Sequence, residues 1–124
     1  MASNLDVAPT ILRACGIEPP AEMKGLDLRK PEALKKRDRI FVDVYEHDSN
    51  LDKRDDMKDG LKAWVVIDGW DKLIMRPNQK ELYDLKNDPD DRTDLASSNP
   101  EKVSKLSSLI ERWLKATLQR NTQK

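Results

Sequence analysis

Few residues in this chain have the type and spacing that chemistry would need. His47, the single histidine, stands between Glu46 and Asp48. At a strand end it could touch a substrate or a metal. A lone imidazole with no second strong ligand beside it makes poor metal chemistry, so the plainer reading is a loop histidine among acidic neighbours. Residues 48–52 read Asp-Ser-Asn-Leu-Asp, the D-x-N-x-D opening of a calcium loop. Lys53 then falls where such a loop needs glycine for its sharp turn, and Asp59 falls where a bidentate Glu is used. That stretch reads as a solvated acidic loop. Cys15, the one cysteine, has no partner for an intrachain disulfide and no neighbouring cation to favour a thiolate, so it reads as a small core residue. Trp64, Trp70 and Trp113 could form an aromatic platform for sugars, although core packing accounts for them without a ligand.

The elements that must position these residues are short. The chain has 124 residues, enough for one domain, and is 37% charged and 37% hydrophobic, which limits the core. Lys plus Arg equals Asp plus Glu at 23 each, so no net field favours nucleic acid or a membrane surface. Charge is uneven along the chain, with a basic excess over 24–39 and an acidic excess over 43–59, both read as solvated faces. No apolar run approaches the length of a membrane span, and the N-terminus lacks the basic flank and apolar stretch of a signal peptide.

A short helix is predicted from an Asp6 N-cap, with Pro9 in its first turn and Gly16 at its end. Ala8, Ile11, Leu12 and Cys15 would form its packed face. Residues 21–38 read as a polar connection in which Gly25, Leu26 and Leu28 tuck in and the rest is surface loop. Strands are predicted over 39–46, 61–67, 70–75 and from Glu81 to Leu85, the first rich in β-formers. Asp68-Gly69 reads as a two-residue hairpin loop, which would pair Val65 with Lys72 and Ala63 with Ile74. Both hairpin faces are then largely apolar. Leu61, Ala63, Val65, Ile67, Trp70 and Ile74 share one; Trp64, Val66, Leu73 and Met75 share the other. Trp64 is assigned to the face the helix leaves uncovered. Asn99 caps a last helix that begins at Pro100 and carries Val103, Leu106, Leu109, Ile110, Trp113 and Leu114 as an apolar stripe. The fold class is therefore α+β: a small antiparallel sheet of about four strands, including a 61–75 hairpin, packed on one face by a long C-terminal helix, with a short N-terminal helix.

The most informative run is 81–96, ELYDLKNDPDDRTDLA. Locally it is a strand followed by a tight polar turn at Asn87-Asp88-Pro89-Asp90. As a string it closely resembles the E-L-Y-D-L-x-x-D-P-x-E-x-x-N-L-A segment of sulfatases, with Asp91 and Asp94 in place of Glu and Asn. Residues 3–12, SNLDVAPTIL, resemble the S-x-x-D-[ILV]-x-P-T helix start of that family, and Cys15-Gly16-Ile17 its A-G-I ending. Residues 68–74, DGWDKLI, resemble its D-G-x-[YW]-K-L-I hairpin, with Asp71 where an aromatic usually stands. Together with the closing amphipathic helix these span roughly residues 3–114, in the family's order.

The resemblance is to the C-terminal domain of the sulfatase (arylsulfatase-like) family, of the alkaline-phosphatase-like superfamily. It implies one subdomain over 1–124, with 1–20 the remnant of a large-domain helix and 39–118 the sheet plus C-terminal helix. It also implies what this stretch does not supply. The C-x-[PA]-S-R or S-x-[PA]-x-R motif that yields formylglycine, the calcium ligands and the catalytic His and Lys all precede the region matched. No catalytic or metal residue is therefore carried onto this sequence, and the chain alone is expected to be inactive. Calcium and formylglycine are expected only in the absent catalytic domain. Sulfate-ester hydrolysis needs an activated nucleophile, an acid for the leaving group and charge stabilisation at the sulfonyl oxygens, which one histidine and one cysteine do not provide. His47 remains a candidate contact at the substrate rim. The expected partner is the missing catalytic domain, or a second copy through an uncovered sheet face; the alternative is a stand-alone binding or interaction module.

Overall fold

The computed structural model describes residues 1–45 and 61–121. The chain divides into two compact units, Met1–Ile40 and Phe41–Lys124. In the second, β1 (Arg39–Tyr45, which begins at the boundary), β2 (Leu61–Asp68), β3 (Asp71–Arg76) and β4 (Gln79–Asp84) form one sheet in the order β1-β2-β3-β4. The β2–β3 and β3–β4 pairs are antiparallel. Two-residue connections join β2 to β3 and β3 to β4, and with alternating apolar positions they favour pairing of each of these strands with its chain neighbour.

The observed register differs from the predicted one by one residue on each strand. Asp68 pairs with Asp71 and Val65 with Ile74, so the loop residues are Gly69 and Trp70. Gly69 has φ +64° while Trp70 does not enter the left-handed region, as a type II′ hairpin turn requires. The faces are nevertheless preserved, because moving both strands by one residue keeps their parity.

The C-terminal helix, α3 (Pro100–Asn121), lays Leu106, Leu109 and Ile110 on Val66, Leu73 and Leu82, and these six form the buried core. Burying side chains of this kind is worth about 1.5–3 kcal/mol each. Phe41, Trp64, Met75, Val103 and Leu114 pack around them, and the Phe41 and Trp113 rings stack with centroids 5.1 Å apart. Trp64 thus lies on the face that α3 covers, contrary to expectation; alternation along β2 sets it with Val66. On the opposite face Ala63 and Val65 are buried too, whereas Val42 and Val44 are exposed.

The first unit is built differently. A 3-10 turn at Asn4–Asp6 leads into α1 (Val7–Ala14), and a short α2 (Pro31–Lys35) lies within the stretch read as surface loop. Pro31 opens α2 with a fixed φ and no N–H to satisfy, which the loop reading overlooked. No large aliphatic or aromatic side chain of this unit is fully buried. Its buried residues are Asp6, Pro9, Pro19, Gly25 and Asp27. Leu5, Val7, Ile11, Ile17 and Met23 are exposed, Leu5 by 70% and Ile11 by 56%. Cys15 is exposed as well. Ala8, Ile11 and Cys15 of the predicted packed face of α1 are therefore exposed and only Leu12 is half-buried, because the unit covers the side of the helix that carries Pro9.

Candidate functional site

Asp6 is the centre of the first unit. The Ser3 hydroxyl accepts the Leu5 N–H, while the Asp6 carboxylate accepts the Ser3 N–H at 2.7 Å, completing a capping box. The same carboxylate accepts the Leu26 N–H at 2.7 Å and both arms of the Arg37 guanidinium at 2.5 and 2.7 Å. Its side chain is fully buried and Arg37 is 17% exposed. The Arg37 fork, followed by the two backbone donors, outweighs the cost of burial and holds the carboxyl far below the usual carboxylate range. In return Asp6 raises the pKa of Arg37.

Thr10 extends the network: its hydroxyl donates to the Asp6 carbonyl at 2.6 Å and accepts the Leu28 N–H at 2.9 Å. Two side chains of the D-x-x-x-T pattern thus hold the backbone at residues 26 and 28 against the start of α1. Gly25 makes that approach possible. A Cβ there would sit 2.0 Å from the Leu5 carbonyl oxygen and 2.7 Å from Pro9 Cγ. Nearby, the Arg29 fork and its backbone N–H hold Asp27 down to about 2.

Beside this network Lys24, Lys30, Lys36 and Arg37, with Glu32, surround a floor of Leu26 and Ala33, lining an open groove of about 440 Å³. The Arg37 fork is taken by Asp6, and Glu32 by Lys35 at 2.8 Å. Lys24 donates to the Ala21 carbonyl. The ammonium groups of Lys24, Lys30 and Lys36 make no ion pair with any carboxylate among the described residues.

In the second unit the 81–96 run does structural work. Asp84 accepts the Lys86 N–H and the Asn87 amide, forming a turn that holds its carboxyl below the ordinary range. Asp88 accepts the Thr93 N–H at 2.7 Å. Asp94 accepts the N–H groups of Leu82 and Ala96 at 3.0 and 2.9 Å, and Leu95 donates its N–H to the Leu82 carbonyl at 2.8 Å. Asp91, at φ +54°, pairs with Lys72, and Arg76 pairs with Glu81. Burial raises the Tyr83 phenol, aided by the Glu81, Asp94 and Asp91 charges. These acidic residues satisfy backbone donors and cations.

His47 and the 48–52 acidic loop lie outside the described residues. Among the described residues no group of three His, Cys, Asp or Glu side chains gathers closely enough to hold a metal ion. The three tryptophans do not share a surface: Trp64 and Trp113 pack in the core layer, and Trp70 alone is largely exposed, at the hairpin tip. Sequence reasoning missed Arg37 as the partner of Asp6, and it missed the groove. The signal available was the basic excess over 24–39, which does not by itself reveal which cations lack partners.

Comparison with known proteins completes the picture. A family model described as N-sulphoglucosamine sulphohydrolase, C-terminal, matches residues 1–121. No curated protein matches the chain. Among solved structures, a protein in complex with its substrate D-glucosamine-2-N,6-O-disulfate is 24% identical, with TM-score 0.60 over 89% of this chain and 23% of its own. A 2-O GAG sulfatase is 20% identical, with TM-score 0.61 over 90% of this chain and 24% of its own. The phosphonate monoester hydrolase of Agrobacterium radiobacter is 25% identical, with TM-score 0.56 over 92% of this chain and 24% of its own. The chain therefore spans about a quarter of the length of the structures it matches.

Proposed function

Because the chain belongs to the sulfatase family of N-sulphoglucosamine sulphohydrolase C-terminal domains, we propose that it is the C-terminal portion of a sulfuric ester hydrolase, acting as a scaffold that closes one side of the active-site cleft. In this reading it packs against a catalytic portion that carries the formylglycine nucleophile and the calcium ligands. The described residues do not fit either group. Cys15 is followed by Gly-Ile-Glu-Pro rather than a modification motif, and no described carboxylates cluster as a calcium site. A sulfated amino sugar or glycosaminoglycan as the substrate class of the whole enzyme is supported by the relatives whose descriptions name such substrates.

The observation that carries this reading is the outward apolar face of α1. Val7 and Ile11 stand one helical turn apart, flanked by Leu5 and Ile17, and all four are exposed while Pro9 of the same helix is buried. Such a face is stabilised by burial against another body. The test has two parts. The purified chain should not hydrolyse an aryl sulfate. It should also associate with the catalytic portion of a sulfatase that lacks its own C-terminal segment, and the Val7→Glu/Ile11→Glu variant should lose that association. Turnover by the chain alone, or association unchanged by both glutamates, would overturn the proposal.

A second reading, a stand-alone binding or interaction module that stays monomeric, is favoured by the burial of Ala63 and Val65 on the sheet face that α3 leaves. Light scattering over a concentration range separates the two, because the uncovered apolar face of the fragment reading predicts self-association, whereas a strict monomer counts against it.

A further inference from the structure

The groove around Leu26 and Ala33 has a composition that its own unit does not explain. Ion pairing consumes the forks of Arg29 and Arg37 on Asp27 and Asp6. It leaves Lys24, Lys30 and Lys36 without a salt bridge among the described residues, Lys30 acting on Asp27 only through longer-range attraction, although the chain as a whole has as many acidic as basic side chains. Three lysines lining one concave surface in a neutral chain create a local positive field rather than a global one.

The floor narrows the ligand. Leu26 and Ala33 are half-buried and aliphatic, and no aromatic side chain lines the groove. Single-stranded nucleic acid is held by stacking on aromatic rings, which are absent here. A bidentate phosphate site would use a free guanidinium fork, and both nearby forks are occupied. Lysine ammonium groups are compact point charges on flexible stems, suited to singly charged anionic groups spaced along a ligand. A shallow aliphatic floor accepts the C–H face of a sugar ring.

We propose that this groove binds an anionic oligosaccharide, with Lys24, Lys30 and Lys36 pairing with its sulfate or carboxylate groups and Leu26 and Ala33 supporting a ring. The choice of a sulfated glycan among polyanions rests on the proposed function; the groove itself stands on three lysines that make no salt bridge among the described residues. It would hold a stretch of glycan away from the bond being cleaved, adding affinity without chemistry.

The test is calorimetric titration of the 124-residue chain with a heparin-derived hexasaccharide, its chemically desulfated counterpart, and a polyphosphate of matched charge. The expected result is salt-sensitive binding of the sulfated hexasaccharide, weakened about tenfold or more in Lys24→Gln/Lys30→Gln/Lys36→Gln. A control, Lys80→Gln/Lys86→Gln/Lys115→Gln, removes the same charge from exposed positions elsewhere and should bind as the parent does. Absence of binding, equal weakening by both triple variants, or equal affinity for polyphosphate would overturn the proposal. Failure here leaves the α1 association experiment untouched, and binding by a chain that fails to associate with a catalytic portion supports the groove while removing the cleft-closing role.

Discussion

Replacing Asp6 by asparagine should loosen the first unit selectively, and the structure sets the size of the effect. The carboxylate receives four donors, two from backbone N–H groups and two from Arg37. Each oxygen takes one of each kind. Whichever way an asparagine amide is turned, its NH2 faces one backbone N–H and one guanidinium N–H, so two donors lose their acceptor and meet another donor. A hydrogen bond to a charged group contributes roughly 1.5–3 kcal/mol, and removing one member of a buried ion pair costs about 3–5 kcal/mol. Arg37 keeps some contact with water at 17% exposure, which places the loss near the lower end, about 3 kcal/mol. The assay is amide hydrogen exchange at Leu26 and Leu28, whose N–H groups are held by Asp6 and Thr10. Both should exchange roughly a hundredfold faster in Asp6→Asn. The double variant Asp6→Asn/Arg37→Met should be milder than the two single changes added together, since it leaves no uncompensated charge. Exchange at Leu26 within about threefold of the parent would refute the view that this carboxylate organises the unit.

Other outcomes follow from the same contacts. Because the Asp6 pKa is depressed on folding, its contribution is complete above the unfolded-chain value of about 3.9 and is lost as pH falls from there toward the depressed folded value. Protection at Leu26 should therefore be flat near neutrality and decline below about pH 4, and a decline beginning near pH 6 would contradict it. Gly25→Ala should cost at least about 2 kcal/mol in the first unit, as an added methyl meets Leu5 backbone at 2.0 Å, whereas Gly69→Ala, with open space but φ +64°, should cost only about 1 kcal/mol by urea titration. Ile110→Ala should destabilise the sheet–helix unit by about 2–5 kcal/mol, and a Phe41/Trp113 double-mutant cycle should return a coupling of about 0.5–1.5 kcal/mol.

The elements of the second unit were readable because each has a strong local signature. Val66, Leu73 and Leu82 alternate with the other face of the sheet, and Asn99-Pro100 announces α3 one turn before its apolar stripe begins. The hairpin register was misread because glycine suits either loop position, and only pairing across the strands decides which. The first unit was harder. Apolar residues at helical spacing imply a packed face, yet Ile11 and Cys15 point outward. What is buried instead is a carboxylate, and burial of a charge depends on an arginine 31 residues away that no local pattern announces. The motif residues Asp6, Pro9 and Thr10 were visible as letters; their tasks of gathering donors, seating against Gly25 and clasping Leu28 emerged only with the fold.

The pairing of Asp94 and Leu95 with Leu82 bears on how copies of this chain can meet. Those bonds occupy both main-chain groups of Leu82 on the outer side of β4, so that side is closed to another strand there. β1 is the terminal strand at the opposite side. Addition is thus one-directional: two chains joined β1 to β1 would make a continuous eight-stranded sheet whose two ends are both β4, and a third chain would find no strand to extend. An element that reads as a simple tail to a strand thus closes the β4 edge at Leu82 to strand addition.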